Sequence, residues 1–180
     1  MKFGWRSLFF CCLSSLTLMG CSSVDQQKAA MQQRNAENLT AWDDANAKFV
    51  LCNKAWQAER RAHSPQFNDL VVSAEDPRYF QSLTSKAPVT QQFKDALVKF
   101  RPQQIACRNE LFTNLGEKNI RVKLLYRDVF QALDAGTVDV LDGRLKTMGE
   151  VNRAYVKWVD DANDARIQLR GSMEGILGDK

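Results

Sequence analysis

Three long apolar stripes at helical spacing constrain this chain more than any other feature. In the first, Trp42, Ala45, Phe49, Cys52 and Trp56 recur at alternating steps of three and four, which places them on one face of an α-helix. In the second, Cys107, Leu111, Leu115, Val122, Leu125, Val129 and Leu133 hold one face for about seven turns, interrupted only at Lys118. The third runs through Leu141, Leu145, Met148, Val151, Tyr155, Trp158 and Ala162. Four prolines and nine glycines in 180 residues leave little to interrupt such helices.

The helix stops divide the chain. Pro65 closes the first helix after His63, because proline lacks a donor and biases its predecessor away from helix. Pro102 suits the first turn of the second, and Gly136 suits a left-handed C-terminal position. The predicted long helices are 36–62, 102–135 and 138–170. The insertion 63–101 carries short helices from Asp76-Pro77 to Leu83 and from Val89 to Phe100. Gly116 weakens the second helix by about 1 kcal/mol relative to alanine without ending it. Residues 22–35 read as a tether or the solvated start of a helix, and 172–180 as a flexible tail. Across a Gly136 hairpin, Leu125 falls opposite Met148, Val122 opposite Val151 and Leu115 opposite Trp158, apolar in each of these layers, with Lys118 opposite Tyr155 the one discordant layer.

The N-terminus has a different character. Lys2 and Arg6 precede an apolar run from Leu8 to Leu18, which leads into Leu18-Met19-Gly20-Cys21. The run is too short to cross a bilayer of about 30 Å as a helix. Residues 1–21 resemble the signal peptide and lipobox of bacterial lipoprotein precursors. That resemblance implies removal of residues 1–20 and a diacylglycerol on the Cys21 sulfur, giving lasting attachment to a membrane. Ser22, where an aspartate would imply inner-membrane retention, implies the outer membrane and a domain facing the periplasm.

On this reading Cys11 and Cys12 leave with the signal and Cys21 is lipidated, so Cys52 and Cys107 remain as one pair in an oxidising compartment. Their separation lacks the close spacing of a redox motif and points to a structural disulfide. An antiparallel Cys52–Cys107 crosslink sets the anchored end beside the Gly136 hairpin and carries the insertion and the C-terminal tail to the far end. The expected fold is all-α: an elongated antiparallel three-helix bundle with a short-helix insertion and one disulfide.

Chemistry is sparse. Without residues 1–20 the chain keeps 23 basic and 21 acidic residues, and no basic stripe argues for nucleic acid. The single histidine, His63, sits at a helix end, and no nucleophile–base constellation, metal-ligand cluster, phosphate loop or dinucleotide fingerprint occurs. No enzyme activity and no cofactor are expected. Phe67, Arg78, Tyr79 and Phe80 give the insertion the composition of a docking surface. The leading expectation is therefore a tethered interaction, scaffold or assembly factor for another envelope component. Secretion pilotins, some of which are small helical lipoproteins with a disulfide, are similar in outline. The terminal Lys180 resembles the lysine through which abundant outer-membrane lipoproteins are joined to peptidoglycan. The alternative is a carrier or sensor of a small apolar ligand in the bundle core, with the insertion as its lid. A cavity lined by Trp42, Phe49, Trp56 and Trp158 would favour the carrier, and tight packing there would remove it.

Overall fold

A computed structural model describes the backbone of residues 11–117 and 119–178 and the side chains of 24–117 and 119–174. The side chain of Cys21, and Lys118 and Lys180 altogether, lie outside the described residues. The described chain is helical, without a β-strand: α1 (Cys11–His63), a 3-10 turn (Pro65–Asp69), α2 (Tyr79–Thr84), α3 (Gln91–Lys99), α4 (Arg101–Leu115), α5 (Ile120–Leu141) and α6 (Met148–Gly178). Residues 22–35 are thus helix rather than tether, continuous with the segment that carries Trp42.

The expected helix over 102–135 is two helices. Gly116 adopts φ 64°, and its N–H donates to Thr113 O as α4 ends. Asn119, almost fully buried, donates from Nδ2 to Leu115 O at 3.1 Å and satisfies a carbonyl left open by the stop. The chain then reverses. Arg108 on α4 meets Asp134 on α5 at 3.0 Å, and Phe112 meets Phe130.

The second expected stop is also displaced. Gly136 lies inside α5, which runs on to Leu141; the turn comes at Gly143, with φ 73°. Lys94 Nζ caps the exit by donating to Leu141 O. The restart is a capping box: Glu150 N–H donates to Thr147 Oγ1, while Glu150 Oε2 accepts from the N–H groups of Thr147 and Lys146. Opposite signs of effect separate the two glycines. Gly136→Ala should stabilise by about 0.5–1 kcal/mol, since a helix-interior glycine is replaced and its Cβ would meet nothing within 4 Å. Gly143→Ala should destabilise by about 1 kcal/mol, because alanine is strained at positive φ. Denaturant midpoints of the two variants check both signs.

The four longer helices pack in chain order around a shared core. The Cys52–Cys107 disulfide, with a Cα–Cα distance of 5.7 Å, holds α4 antiparallel to α1. The contacts Trp42–Tyr126 and Phe49–Phe130 align α5 parallel to α1. The Arg170–Asp43 ion pair sets α6 antiparallel to it. Two apolar clusters result. The base contains Leu39, Trp42, Ala45, Leu111, Leu115, Val122, Tyr126, Phe130 and Met173. The head contains Trp56, Phe67, Phe93, Ala96, Phe100, Cys107, Val140, Met148 and Val151.

An added reversal changes where the chain finishes. With four packed helices rather than three, the described end of α6 returns to the base beside α1, not to the far end. Met173, placed in a flexible tail by composition, is 6% exposed in the core, and α6 continues to Gly178. The insertion does stand at the far end, as expected. It is fastened there through Asn152, whose Oδ1 accepts from Val71 N–H and whose Nδ2 donates to Val71 O. It is fastened again at Gly149, whose Cα faces the backbone so closely that a Cβ would lie 2.6 Å from Ser85 O.

Candidate ligand cavity

The residues singled out in the insertion separate once folded. Phe67 is not a surface residue: it is 6% exposed and stacks on Phe93 at 4.2 Å between centroids. Its place on the 3-10 turn, behind Pro65 and with Gln66 bonded to Pro88 O and Thr90, points it into the head. Arg78 is exposed, but its guanidinium is a staple for the loop, bonded to both Asp76 carboxylate oxygens and to Asn68 O. The Asp76 carboxylate is held below its usual range by those Arg78 bonds. Tyr79 is half-buried and meets Phe80 edge-on at 5.4 Å. Phe80 alone projects, 75% exposed.

The larger feature lies between the long helices and opens to the surface beside Val50 and Lys54. A partly open cavity of about 380 Å³ lies between α1, α4, α5 and α6, roofed by α3 and the 3-10 turn, a size within the range of small-molecule sites. Of the four aromatics whose placement decides between carrier and packed core, Phe49, Trp56 and Trp158 line it. Trp42 does not. It packs in the base at 2% exposure, donating from Nε1 to Tyr126 OH at 3.2 Å, while Tyr126 OH donates to Asn46 Oδ1. Tyr126, closed in there, has its hydroxyl pKa raised by burial.

The aromatic walls are held by their own contacts. Trp158 Nε1 donates to Val129 O at 2.6 Å, and the indole stacks on Tyr155. Trp56 stacks on Phe100, but its Nε1 is buried with no hydrogen-bond partner. Phe93, Phe100 and Phe130 add to the apolar lining, with aliphatic side chains such as Leu97 and Val140.

Polar side chains interrupt that lining, among them Lys54, Gln57, Gln104 and two arginines. Arg108 is 7% exposed; its Nη1 reaches Asp134 at 3.0 Å, its plane lies over Phe130, and its Nε and Nη2 are buried without partners. Arg60 is flanked by the rings of Trp56 and Phe67, at 4.8 and 4.3 Å from their centroids. These cation–π contacts hold the guanidinium but bring no negative charge. Among the described residues no carboxylate pairs with Arg60, and its buried Nε has no partner. Burial lowers the Arg60 pKa from its ordinary value, opposed by the nearby Tyr155 hydroxyl.

Sequence reasoning missed both arginines, because each falls beside a stripe rather than on it. A usable signal existed for Arg60: a cation one turn from Trp56 on a helix whose stripe carries three aromatic residues. Among the described residues no group of His, Cys, Asp and Glu is placed to hold a metal ion, and no helix is long and apolar enough to cross a membrane. His63 meets Phe100 edge-on at the roof of the head. The fold and cavity together define an up-and-down helical bundle with an apolar, cation-bearing interhelical pocket. No protein family, curated protein or solved structure matches this chain.

Proposed function

We propose that this chain is a lipid-anchored binding protein of the bacterial outer membrane, facing the periplasm, whose helical bundle carries or senses a small apolar ligand. The observation that supports this reading is the cavity of about 380 Å³ lined by Phe49, Trp56 and Trp158. Packed cores leave few voids larger than a water molecule, since unfilled apolar space forfeits dispersion contacts. An apolar occupant would restore them. Binding and release, not bond-making, are the chemistry such walls suit.

Gly136 offers the test. It borders the cavity, and a Cβ there meets nothing within 4 Å, so Gly136→Phe is expected to fill the space while leaving the fold intact. An environment-sensitive apolar dye should bind the full-length protein and receive energy from its tryptophans, and Gly136→Phe should abolish the transfer. Equal transfer in both proteins would place the dye elsewhere and sink the proposal. For the anchor, Cys21→Ala should end metabolic labelling by a fatty acid.

A second reading, a tethered interaction or assembly factor, draws support from Phe80. At the end of the bundle remote from the start of the core at Leu39, it is exposed next to the half-buried Tyr79. A photoreactive side chain at position 80 should then capture an envelope protein in intact cells, and capture only along the helices would count against it.

A further inference from the structure

The cavity is apolar enough to take a hydrocarbon, yet a hydrocarbon would leave its least comfortable group untouched. Arg60 sits in its wall between two aromatic rings, its Nε buried, with no carboxylate opposite among the described residues. A charge partly withdrawn from water gains from a counter-charge; Arg60 is half-buried, its Nε is closed off without a partner, and its outer N–H groups stay open to one. Trp56 Nε1, on the same helix one turn away, is another buried donor without an acceptor. Arg108 adds two more donors from α4, its Nε and Nη2, while its Nη1 is engaged by Asp134. Every unfilled polar position in this set is a donor. The complement is an acceptor bearing negative charge, and the planar fork of a guanidinium matches the paired oxygens of a carboxylate or phosphate.

Resting on the apolar-ligand reading above, we propose that the ligand is a single-chain anionic amphiphile: its hydrocarbon lies among Phe49, Phe130 and Trp158, and its oxyanion is held by Arg60 and Trp56 Nε1. Fatty acids and monoacyl phosphates share this chemistry. Contacts with the Trp56 and Phe67 rings serve the same end, keeping the guanidinium in place while the pocket is exchanged between occupants.

Photoreactive analogues of dodecanoate, dodecyl phosphate and dodecanol, each with the reactive group near the end of the chain, test this on the full-length protein. Labelled peptides are mapped, so partition into lipid or detergent does not count as binding. Cavity-lining peptides should be labelled by dodecanoate at about tenfold lower concentration than by dodecanol, or less still, as expected for a charge-assisted hydrogen bond. The carboxylate–alcohol difference should vanish in Arg60→Met and persist in Arg60→Lys. A preference for dodecyl phosphate over dodecanoate would assign the headgroup to a phospholipid product, and the reverse to a free fatty acid. Equal labelling by acid and alcohol in the unaltered protein would overturn the anionic inference and leave the apolar-ligand reading standing. Labelling of no cavity peptide by any analogue would overturn both. If Arg60→Met fails to fold, as read by its thermal transition, the comparison in the unaltered protein decides alone.

Discussion

Reducing the Cys52–Cys107 disulfide is expected to lower the stability of the folded chain by about 4 kcal/mol, the chain-entropy value for closing a loop of this length. For a chain of this size that is a fall of roughly 8–16 °C in Tm. The crosslink spans 55 positions and encloses the whole insertion, so its loss frees exactly the part of the unfolded chain with the most irregular native path. It joins α1 to α4 where Cys107 is 1% exposed, and both thiols can remain packed as small apolar groups after reduction. The native state therefore changes little, and the effect falls on the unfolded ensemble. Urea unfolding with and without reductant would show it twice, as a lower midpoint and as a steeper dependence, because the reduced unfolded chain exposes more surface. An unchanged midpoint would mean that the disulfide constrains nothing that the packing of α1 on α4 does not already fix.

Asn152→Ala should cost about 3 kcal/mol, large for one polar side chain. Asn152 is 1% exposed and serves as a peptide partner for Val71, accepting from its N–H at 3.0 Å and donating to its carbonyl at 3.1 Å. It also donates to Ser82 Oγ at 2.5 Å, tying α2 to the same point on α6. Truncation leaves both polar groups of a 4% exposed residue without partners, each at a cost of about 1–3 kcal/mol. The loss should be local as well as global. Residues 72–78, which follow Val71 on the surface, should become a site of rapid proteolytic nicking while the base cluster around Trp42 holds. Undiminished stability and no new cleavage would show that the insertion is held by its apolar contacts alone.

A smaller effect is expected at the start of α6. Hydrogen bonds from the Thr147 and Lys146 N–H groups hold the Glu150 carboxyl below its usual pKa. A depressed folded-state pKa gives stability that is present above the unfolded value and disappears as pH falls through the folded one. Acid unfolding of Glu150→Gln should therefore be flatter than that of the unaltered protein over the carboxyl range.

How far the fold was legible depended on what each signal encodes. The first stripe was read correctly because its stop is chemical: Pro65 cannot continue a helix, and α1 ends at His63. The helix expected from Val89 to Phe100 is α3, which begins two residues later behind a Thr90 cap whose Oγ1 accepts from Phe93 N–H. The hairpin was misplaced because apolar layers cannot distinguish registers separated by whole heptads. Moving the turn from Gly136 to Gly143 shifts it one heptad and every cross-helix partner two. Trp158 then donates to Val129 O instead of lying opposite Leu115, and apolar still meets apolar. The deciding signal was Thr147-Met148-Gly149-Glu150, the capping box that fixes where α6 begins. Gly116 was read as a weak point in one continuous helix because the stripe keeps its helical spacing across it, interrupted only at Lys118. Beyond that break the buried face of α5 carries Tyr126 and Phe130, with Leu125 and Val129 only half-buried.

The cavity was legible only as a question. Sequence places Phe49, Trp56 and Trp158 on inward faces, but whether inward side chains meet or leave space depends on helix separation, which no stripe records. Arg60 and Arg108 were harder still, because a charge adjacent to an apolar stripe is ordinarily solvated along its stem. Only the packing of Phe67 and Trp56 against Arg60 reveals that its guanidinium is partly covered.

The indole N–H signals of the full-length protein in a two-dimensional nitrogen–proton NMR spectrum test the central claim most directly. Trp56 Nε1 is buried and unpartnered in the cavity wall, Trp158 Nε1 is bonded to Val129 O beside it, and Trp42 Nε1 is bonded to Tyr126 in the base. On addition of dodecanoate the Trp56 signal should move most and downfield, as a donor gains an acceptor, the Trp158 signal should move less, and that of Trp42 should stay where it is. Movement of Trp42 with Trp56 and Trp158 unmoved, or no movement of any of the three at saturating dodecanoate, would contradict a ligand site between these helices.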